Sequence, residues 1–142
     1  MTTRSATAVW HGDLKGGKGA ISTRSGVLRD APYGFRSRFE SGPGTNPEEL
    51  LGAAHAGCYS MALALGLGSA GITAERIETR ADVTLEQETD GFTITAVHLT
   101  CRARIPRIDM AMFEQIAEAT RQHCPVSKVL NAKVTLDARL DG

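Results

Sequence analysis

Residues 50–74 contain no Asp, Glu, Lys or Arg, in a 142-residue chain that is 23% charged. A charge-free segment of this length must be covered by the rest of the protein, by another chain or by lipid. It is long enough to cross a bilayer, for which about 20 predominantly apolar residues are needed. Its content speaks against that, because five glycines, His55, Ser60 and Ser69 fall inside it and much of the remainder is alanine. The summed hydrophobicity is too low for a span, and the reading is a buried helix. Its start is sharply marked. Asn46 can cap, Pro47 suits the first helical position, and Glu48 and Glu49 complement the helix dipole. Gly66, Gly68 and Gly71 dissolve it at the far end. One sheet from so short a chain can hardly cover such a helix, so a homodimer packed through it is expected.

The length suits one domain, residues 1–142, with room for a sizeable core. Formal net charge is zero, which leaves no electrostatic case for nucleic acid or an anionic membrane as partner. The opening MTTRSATAVW has no apolar stretch of signal-peptide length, which points to a cytoplasmic protein. Three cysteines, an odd number, fit a reducing compartment better than a disulfide framework.

Upstream of the helix, residues 6–11 and 20–24 read as short strands around the glycine-rich turn GDLKGGKG. Residues 33–40 read as a third strand, between Pro32 and SGPG. Downstream the period becomes two. Ile77, Thr79, Ala81, Val83 and Leu85 point one way, and Arg76, Glu78, Arg80, Asp82 and Glu86 the other, as in a sheet with one wet face. Asp90-Gly91 signals a hairpin, and residues 92–105 return as the partner strand. The apolar set there moves from even positions (Phe92, Ile94, Ala96) to odd ones (Val97, Leu99, Cys101, Ala103), which predicts a bulge or strong twist near Val97. Asp109 is placed to cap a helix carrying Met112, Phe113, Ile116 and Ala117. His123-Cys124-Pro125 breaks that helix, residues 126–131 add a helical turn or two, and residues 134–140 alternate as a last strand. The fold class is α+β, an antiparallel sheet packed on two main helices.

Some of these segments could carry chemistry. The turn at residues 12–18 has the spacing of a phosphate-binding loop, with Gly12, Gly17 and Lys18 in place. Gly19 stands where the magnesium-ligating hydroxyl belongs, and a strand follows instead of a helix, so a hairpin turn is the better reading. Cys101, beside Leu99 and Ala103, reads as a small buried hydrophobe. Cys58 lies about three turns into its helix, too far for the N-terminal dipole to lower its pKa. A thiolate there needs a cation from elsewhere, and GFRSRFE offers Arg36 and Arg38 on one strand face beside two Phe residues. Cys124 has the opposite character. It precedes Pro125 at the start of a helical turn, where its sulfur would face free backbone N–H groups, so local chemistry makes it the more acidic thiol. The two could form a redox couple, one thiol attacking and the other resolving. Alternatively His55, Cys58, His123 and Cys124 could bind zinc, or the chain could be a non-enzymatic thiol redox sensor. His55 taken alone reads as a buried histidine satisfied by a hydrogen bond.

NPEELLGAAHAGCYSMAL (residues 46–63), CPVSKVLNAKVTLD (124–137) and PYGFRSRFESG (32–42) together closely resemble the OsmC proteins. These belong to the OsmC/Ohr superfamily of thiol-dependent hydroperoxide reductases. The resemblance runs over essentially the whole chain, and the PYGF–RF stretch places it nearer OsmC than the Ohr branch. It implies an OsmC-like, intertwined homodimer whose antiparallel sheet wraps around two main helices, with two sites at the interface. It also implies that Cys58 is the peroxidatic cysteine, Cys124 the resolving cysteine, Arg38 the thiolate-stabilising arginine, and Glu48 the acid that orients Arg38 by a bidentate pair. The implied activity is reduction of organic hydroperoxides, and less well hydrogen peroxide, to alcohols, in defence against oxidative or osmotic stress. It proceeds through a Cys58 sulfenic acid and a Cys58–Cys124 disulfide. No metal or flavin is implied, and the reductant is an external dithiol such as dihydrolipoamide.

The implied site can be checked against helix geometry. Ten residues of helix separate Glu48 from Cys58, a rise of about 15 Å. Either the helix bends or Glu48 reaches the thiol from the other subunit, and the second arrangement is expected. Leu51, Ala54, His55, Met61, Ala62 and Leu65 lie three, four or seven residues from Cys58. An apolar helical lining of that kind accounts for a preference for organic hydroperoxides.

Overall fold

Six strands and four helices follow one another along residues 1–142 of the computed structural model. Their contacts fall into two compact units, residues 1–50 and 51–142.

In the first unit, β1 (Ala6–His11), β2 (Lys18–Thr23) and β3 (Ala31–Tyr33) form an antiparallel sheet in that order. The glycine-rich turn joins β1 to β2 as expected. Gly12 sits at φ +95°, a conformation that suits glycine. Asp13 closes the turn by accepting hydrogen bonds from the N–H of Gly16 at 2.7 Å and of Gly17 at 2.9 Å.

The strand expected over residues 33–40 ends at Tyr33. Phe35–Phe39 turns instead into a short helix, α1. Ser37 folds back onto Gly34, its Oγ accepting from the Gly34 N–H at 2.9 Å and donating to the Gly34 carbonyl at 3.0 Å. The alternation Phe-Arg-Ser-Arg-Phe satisfies a strand period, but Phe35 and Phe39 are also four apart. Their rings meet at 5.1 Å across one helical turn. The two arginines therefore lie on different flanks of a helix rather than on one strand face.

Asn46 opens α2 (Pro47–Ser69) as a cap, its Oδ1 accepting the Glu49 N–H at 2.7 Å. Its Nδ2 donates to the Ser37 carbonyl at 2.9 Å, tying the helix start to α1.

In the second unit, β4 (Arg76–Glu88) and β5 (Gly91–Arg104) form a long antiparallel hairpin, turned at Gly91 with φ +122°. The pairing slips where Thr84 faces Ala96 and Leu85 faces Ile94. Thr95 is thus the extra residue, two positions before Val97, and from Val97 onward the odd set is buried. β6 (Lys133–Leu140) corrects the expectation of an antiparallel sheet, because it pairs with β5 in parallel. Parallel neighbours require a crossover, and α3 (Met110–His123) with α4 (Pro125–Val129) supplies it. The class is α+β, with one antiparallel and one mixed three-stranded sheet.

Tyr59, Leu63 and Leu67, successive turns of α2, meet the odd set of β5, Phe113 and Ala117 of α3, and Cys124 in one core. Burying each large apolar side chain here stabilises by about 1.5–3 kcal/mol. Tyr59 Oη donates to the Ala117 carbonyl at 3.0 Å. A Cβ added to Gly66 would stand 3.0 Å from Ile116, so glycine lets α2 and α3 approach closely.

The other face of α2 is open. Ala54, Gly57, Met61, Ala64, Leu65 and Gly68 are exposed, Met61 at 78% and Leu65 at 74%. By length and hydropathy, 1.4 over its most apolar window, α2 could also pass for a membrane span. However, its His55, Tyr59 and Ser60 hydrogen-bond within the folded unit.

Candidate active site

Two of the three cysteines meet. Cys58 on α2 and Cys124 between α3 and α4 are both free thiols, and their sulfurs are 3.2 Å apart. Cys124 is fully buried and Cys58 half-buried. The His-Cys-Pro break makes Cys124 the end of one helix and the cap of the next. Its N–H donates to the Thr120 carbonyl at 2.9 Å, and its carbonyl accepts the Lys128 N–H at 3.1 Å. Pro125 takes the first helical position, where no N–H is needed. Cys101 lies in the core on β5, where burial raises its pKa, and it takes no part in the pair.

The two thiols differ in acidity. Burial pushes the Cys58 thiol up, and the N–H of Val126 draws it back only in part. Burial also pushes Cys124 up, but the N–H and hydroxyl of Ser127, with Cys58 and the Val126 N–H, outweigh it and bring the net below the ordinary thiol value. The asymmetry read from the helix cap is therefore present.

His55 is fully buried, with Nε2 2.8 Å from Ser127 Oγ. Burial lowers its pKa, so the imidazole is neutral near pH 7. The expected hydrogen bond satisfies one nitrogen, and Nδ1 is buried without a partner. Ser127 Oγ in turn reaches Cys124 Sγ at 3.6 Å. Sequence reasoning passed over Ser127, although its place three residues after a capping thiol was the available signal. His123 turns its Nδ1 to the Ala119 carbonyl at 2.8 Å. The two His/Cys pairs do not form a zinc ligand set, and no group of three or more His, Cys, Asp or Glu side chains is arranged to hold a metal.

A second constellation forms within the first unit. Arg38 donates from Nε at 3.0 Å and from Nη2 at 2.8 Å to the same oxygen of Glu48, Oε1. The expected bidentate pair is thus closed onto one oxygen, and Glu48 Oε2 is buried without a partner. Arg36 goes elsewhere, to an exposed pair with Glu40 at 3.6 Å. The Arg38 guanidinium stands 5.4 Å from the Phe39 ring centre. It lines a cleft of about 290 Å³ with Trp10, Leu14, Tyr33, Phe35 and Phe39, residues the sequence reading did not assign to a site. Of these side chains only Arg38 is charged, so the cleft can hold an apolar group against a cation.

An α+β fold carrying two reduced thiols in contact, one on a helix and one between two helices, is the class that the fold and this geometry define. Residues 40–139 match the model of the OsmC-like protein family, and the chain belongs to that family. It is 53% identical over 133 residues to the peroxiredoxin OsmC of Escherichia coli (strain K12), covering 94% of this chain and 93% of that one. The peroxiredoxin OsmC of Shigella flexneri matches to the same extent. Among solved structures, the organic hydroperoxide resistance protein OhrB of Bacillus subtilis is similar with a TM-score of 0.71 and 25% identity, over 96% of this chain and 98% of that one. An OsmC-like protein of unknown function from Vibrio cholerae shares the fold at a TM-score of 0.78 and 14% identity, over 97% and 99% of the two chains.

Proposed function

We propose that Cys58 and Cys124 divide a hydroperoxide-reducing cycle between them, with Arg38 and Glu48 supplying the charge. The chain is a thiol-dependent peroxidase of organic hydroperoxides in stress defence, an activity supported by its family and its identity to two peroxiredoxins. The observation that carries the residue assignment is the 3.2 Å contact between two free thiols of unequal exposure.

Cys58 attacks first because it is the one a hydroperoxide can reach; Cys124 has no exposed surface. Its sulfur takes one peroxide oxygen, the O–O bond breaks and the alcohol departs, leaving Cys58 as a sulfenic acid. Cys124 then attacks the Cys58 sulfur, water leaves and a disulfide forms. That step needs the sulfurs to close from 3.2 Å to about 2.05 Å. An external dithiol, of which dihydrolipoamide is an example, returns both thiols, and no prosthetic group is used.

The thiol that must attack is the less acidic of the two, so its charge is imported. A guanidinium favours a thiolate and donates to peroxide oxygens as charge develops on them. Arg38 is held by Glu48 of its own chain, so the two act as one group. α2 is unbroken over Pro47–Ser69, and its rise of about 15 Å between positions 48 and 58 favours delivery of that group to Cys58 of a second copy. The open apolar face of α2 supports a homodimer, since a contiguous uncharged stripe of this kind is where a partner docks. The chain acts as one OsmC-like domain, residues 1–142, in a cytoplasmic dimer.

The deciding experiment is consumption of an alkyl hydroperoxide by the Cys58→Ser variant in the presence of a dithiol. Loss of turnover supports the assignment. Full activity overturns it and leaves a sensing role as the better reading.

A further inference from the structure

One polar chain in the second unit has no role in the cycle above. His55 occupies a fully buried place on α2 where an apolar side chain would pack, with its Nε2 2.8 Å from Ser127 Oγ. Ser127 Oγ stands 3.6 Å from Cys124 Sγ, with the hydroxyl as donor and sulfur as acceptor. A hydroxyl has a single proton. If that proton points to sulfur, the oxygen must accept from His55, and the ring must carry its proton on Nε2. Nδ1 then holds a bare lone pair, and it is the nitrogen that is buried without a partner.

We infer that His55 and Ser127 form a donor chain that stabilises Cys124 as a thiolate once Cys58 is oxidised, Nε2–H donating to Ser127 Oγ and Oγ–H to Cys124 Sγ. Its existence rests on this geometry, and its use rests on the peroxidase reading. Ser127 touches a reacting sulfur, whereas His55 acts through Ser127 and is a positioning residue.

The chain serves both halves of the cycle. In resolution, the Cys124 thiolate donates an electron pair to the Cys58 sulfur and the S–O bond of the sulfenic acid breaks. The hydroxide leaves as water, with the proton that the Cys124 thiol gave up. In reduction, a thiolate of the external dithiol attacks the half-exposed Cys58 sulfur, because Cys124 is fully buried. The S–S bond breaks and Cys124 departs as the thiolate, received again by the Ser127 hydroxyl; a lower-pKa thiol leaves faster. The second thiol of the reductant then displaces Cys58 and closes its own disulfide. The reductant's two electrons account for both thiols restored.

The N–H groups of Ser127 and Val126 and the Cys58 thiol also favour the Cys124 thiolate, and the Ser127 hydroxyl adds to them; the remaining titratable groups nearby do not. Tyr59 faces it from α2 and also lies against Cys101 of β5; burial holds Tyr59 above the ordinary phenol value. Glu118 and Arg121 of α3 also act on Tyr59 and are paired with each other. His123 turns to its own helix.

The test is an ultraviolet thiolate titration of Cys124 in a Cys58→Ser, Cys101→Ser background, referenced to the same protein without cysteines. Ser127→Ala should raise the midpoint by about one pH unit, and Ser127→Thr, which restores a hydroxyl, should bring it back. His55→Gln keeps a neutral N–H donor and should hold the midpoint, while His55→Leu should raise it. A Ser127→Ala midpoint equal to the parent's overturns the inference, as does His55→Gln shifting as far as His55→Leu. Circular dichroism checks folding, and the threonine and glutamine variants carry the test if the alanine or leucine forms do not fold. In the oxidised protein with all three cysteines, 2-mercaptoethanol should be found by mass spectrometry on Cys58; an adduct on Cys124 overturns the direction of reduction. The titration uses no hydroperoxide, so an inactive parent would sink the peroxidase reading alone.

Discussion

The Cys58 and Cys124 sulfurs stand 3.2 Å apart, and the one with the lowered pKa is the one with no exposed surface. Accessibility and acidity are thus split between the two thiols. In the proposed cycle a peroxide meets Cys58, and the better leaving group waits behind it.

That split predicts distinct failures for the two cysteines. Cys58→Ser should lose hydroperoxide turnover altogether. Cys124→Ser should consume about one equivalent and then stall, with Cys58 carried on to sulfinic acid by excess peroxide. Rapid-quench mass spectrometry separates these outcomes, and continued turnover by Cys124→Ser would remove it from the cycle.

Arg38 and Arg36 are two residues apart, yet only Arg38 binds Glu48. Arg38→Met should lower the rate of Cys58 oxidation by about 10²-fold, the scale of losing one preorganised donor of transition-state charge. Arg36→Met should leave it within about twofold, as an exposed pair contributes little. Arg38→Lys should not restore the rate, because the Nε and Nη2 fork onto Glu48 Oε1 has no ammonium equivalent. Equal losses from Arg36→Met and Arg38→Met would undo this assignment.

Delivery of Arg38 across a dimer predicts complementation. Cys58→Ser chains and Arg38→Met chains, each inactive or nearly so, should regain activity when mixed and allowed to exchange. Met61→Glu with Leu65→Glu, on the open face of α2, should give a monomer by light scattering and abolish that rescue. No rescue in a proven heterodimer would return the guanidinium to its own chain's thiol.

His55 makes stability fall on acidification. Burial holds its folded-state pKa below the ordinary 6.5. As pH falls below about 6.5, the unfolded chain gains a proton that the folded chain does not, so stability declines until the folded pKa is passed. The melting temperature of the parent should drop through this window, and that of His55→Gln should drop less. Parallel curves for the two would show that His55 is not the group responsible.

Much of the architecture was legible because it is local. The two-residue alternation of residues 76–86, the Asp90-Gly91 turn, the parity change before Val97 and the Asn46-Pro47 helix start each depend on neighbours within a few positions, and each is present. Residues 35–39 misled for the same reason. Phe-Arg-Ser-Arg-Phe satisfies periods of both two and four, and the choice fell to the Ser37–Gly34 hydrogen bonds. The parallel placement of β6 was hidden because strand direction is set by the crossover that precedes it, not by alternation within it.

The sequence by itself determined the charge-free helix, the residue types at positions 38, 48, 58 and 124, and the unequal acidity expected of the two thiols. Those follow from composition, spacing and cap chemistry along the chain. Only the tertiary structure decided that thiols 66 residues apart touch, that Arg38 closes onto a single oxygen of Glu48 in its own chain, and that His55 reaches Cys124 through Ser127. Contacts at such separations depend on how helices pack and which rotamers the packing leaves open, and no local pattern encodes that.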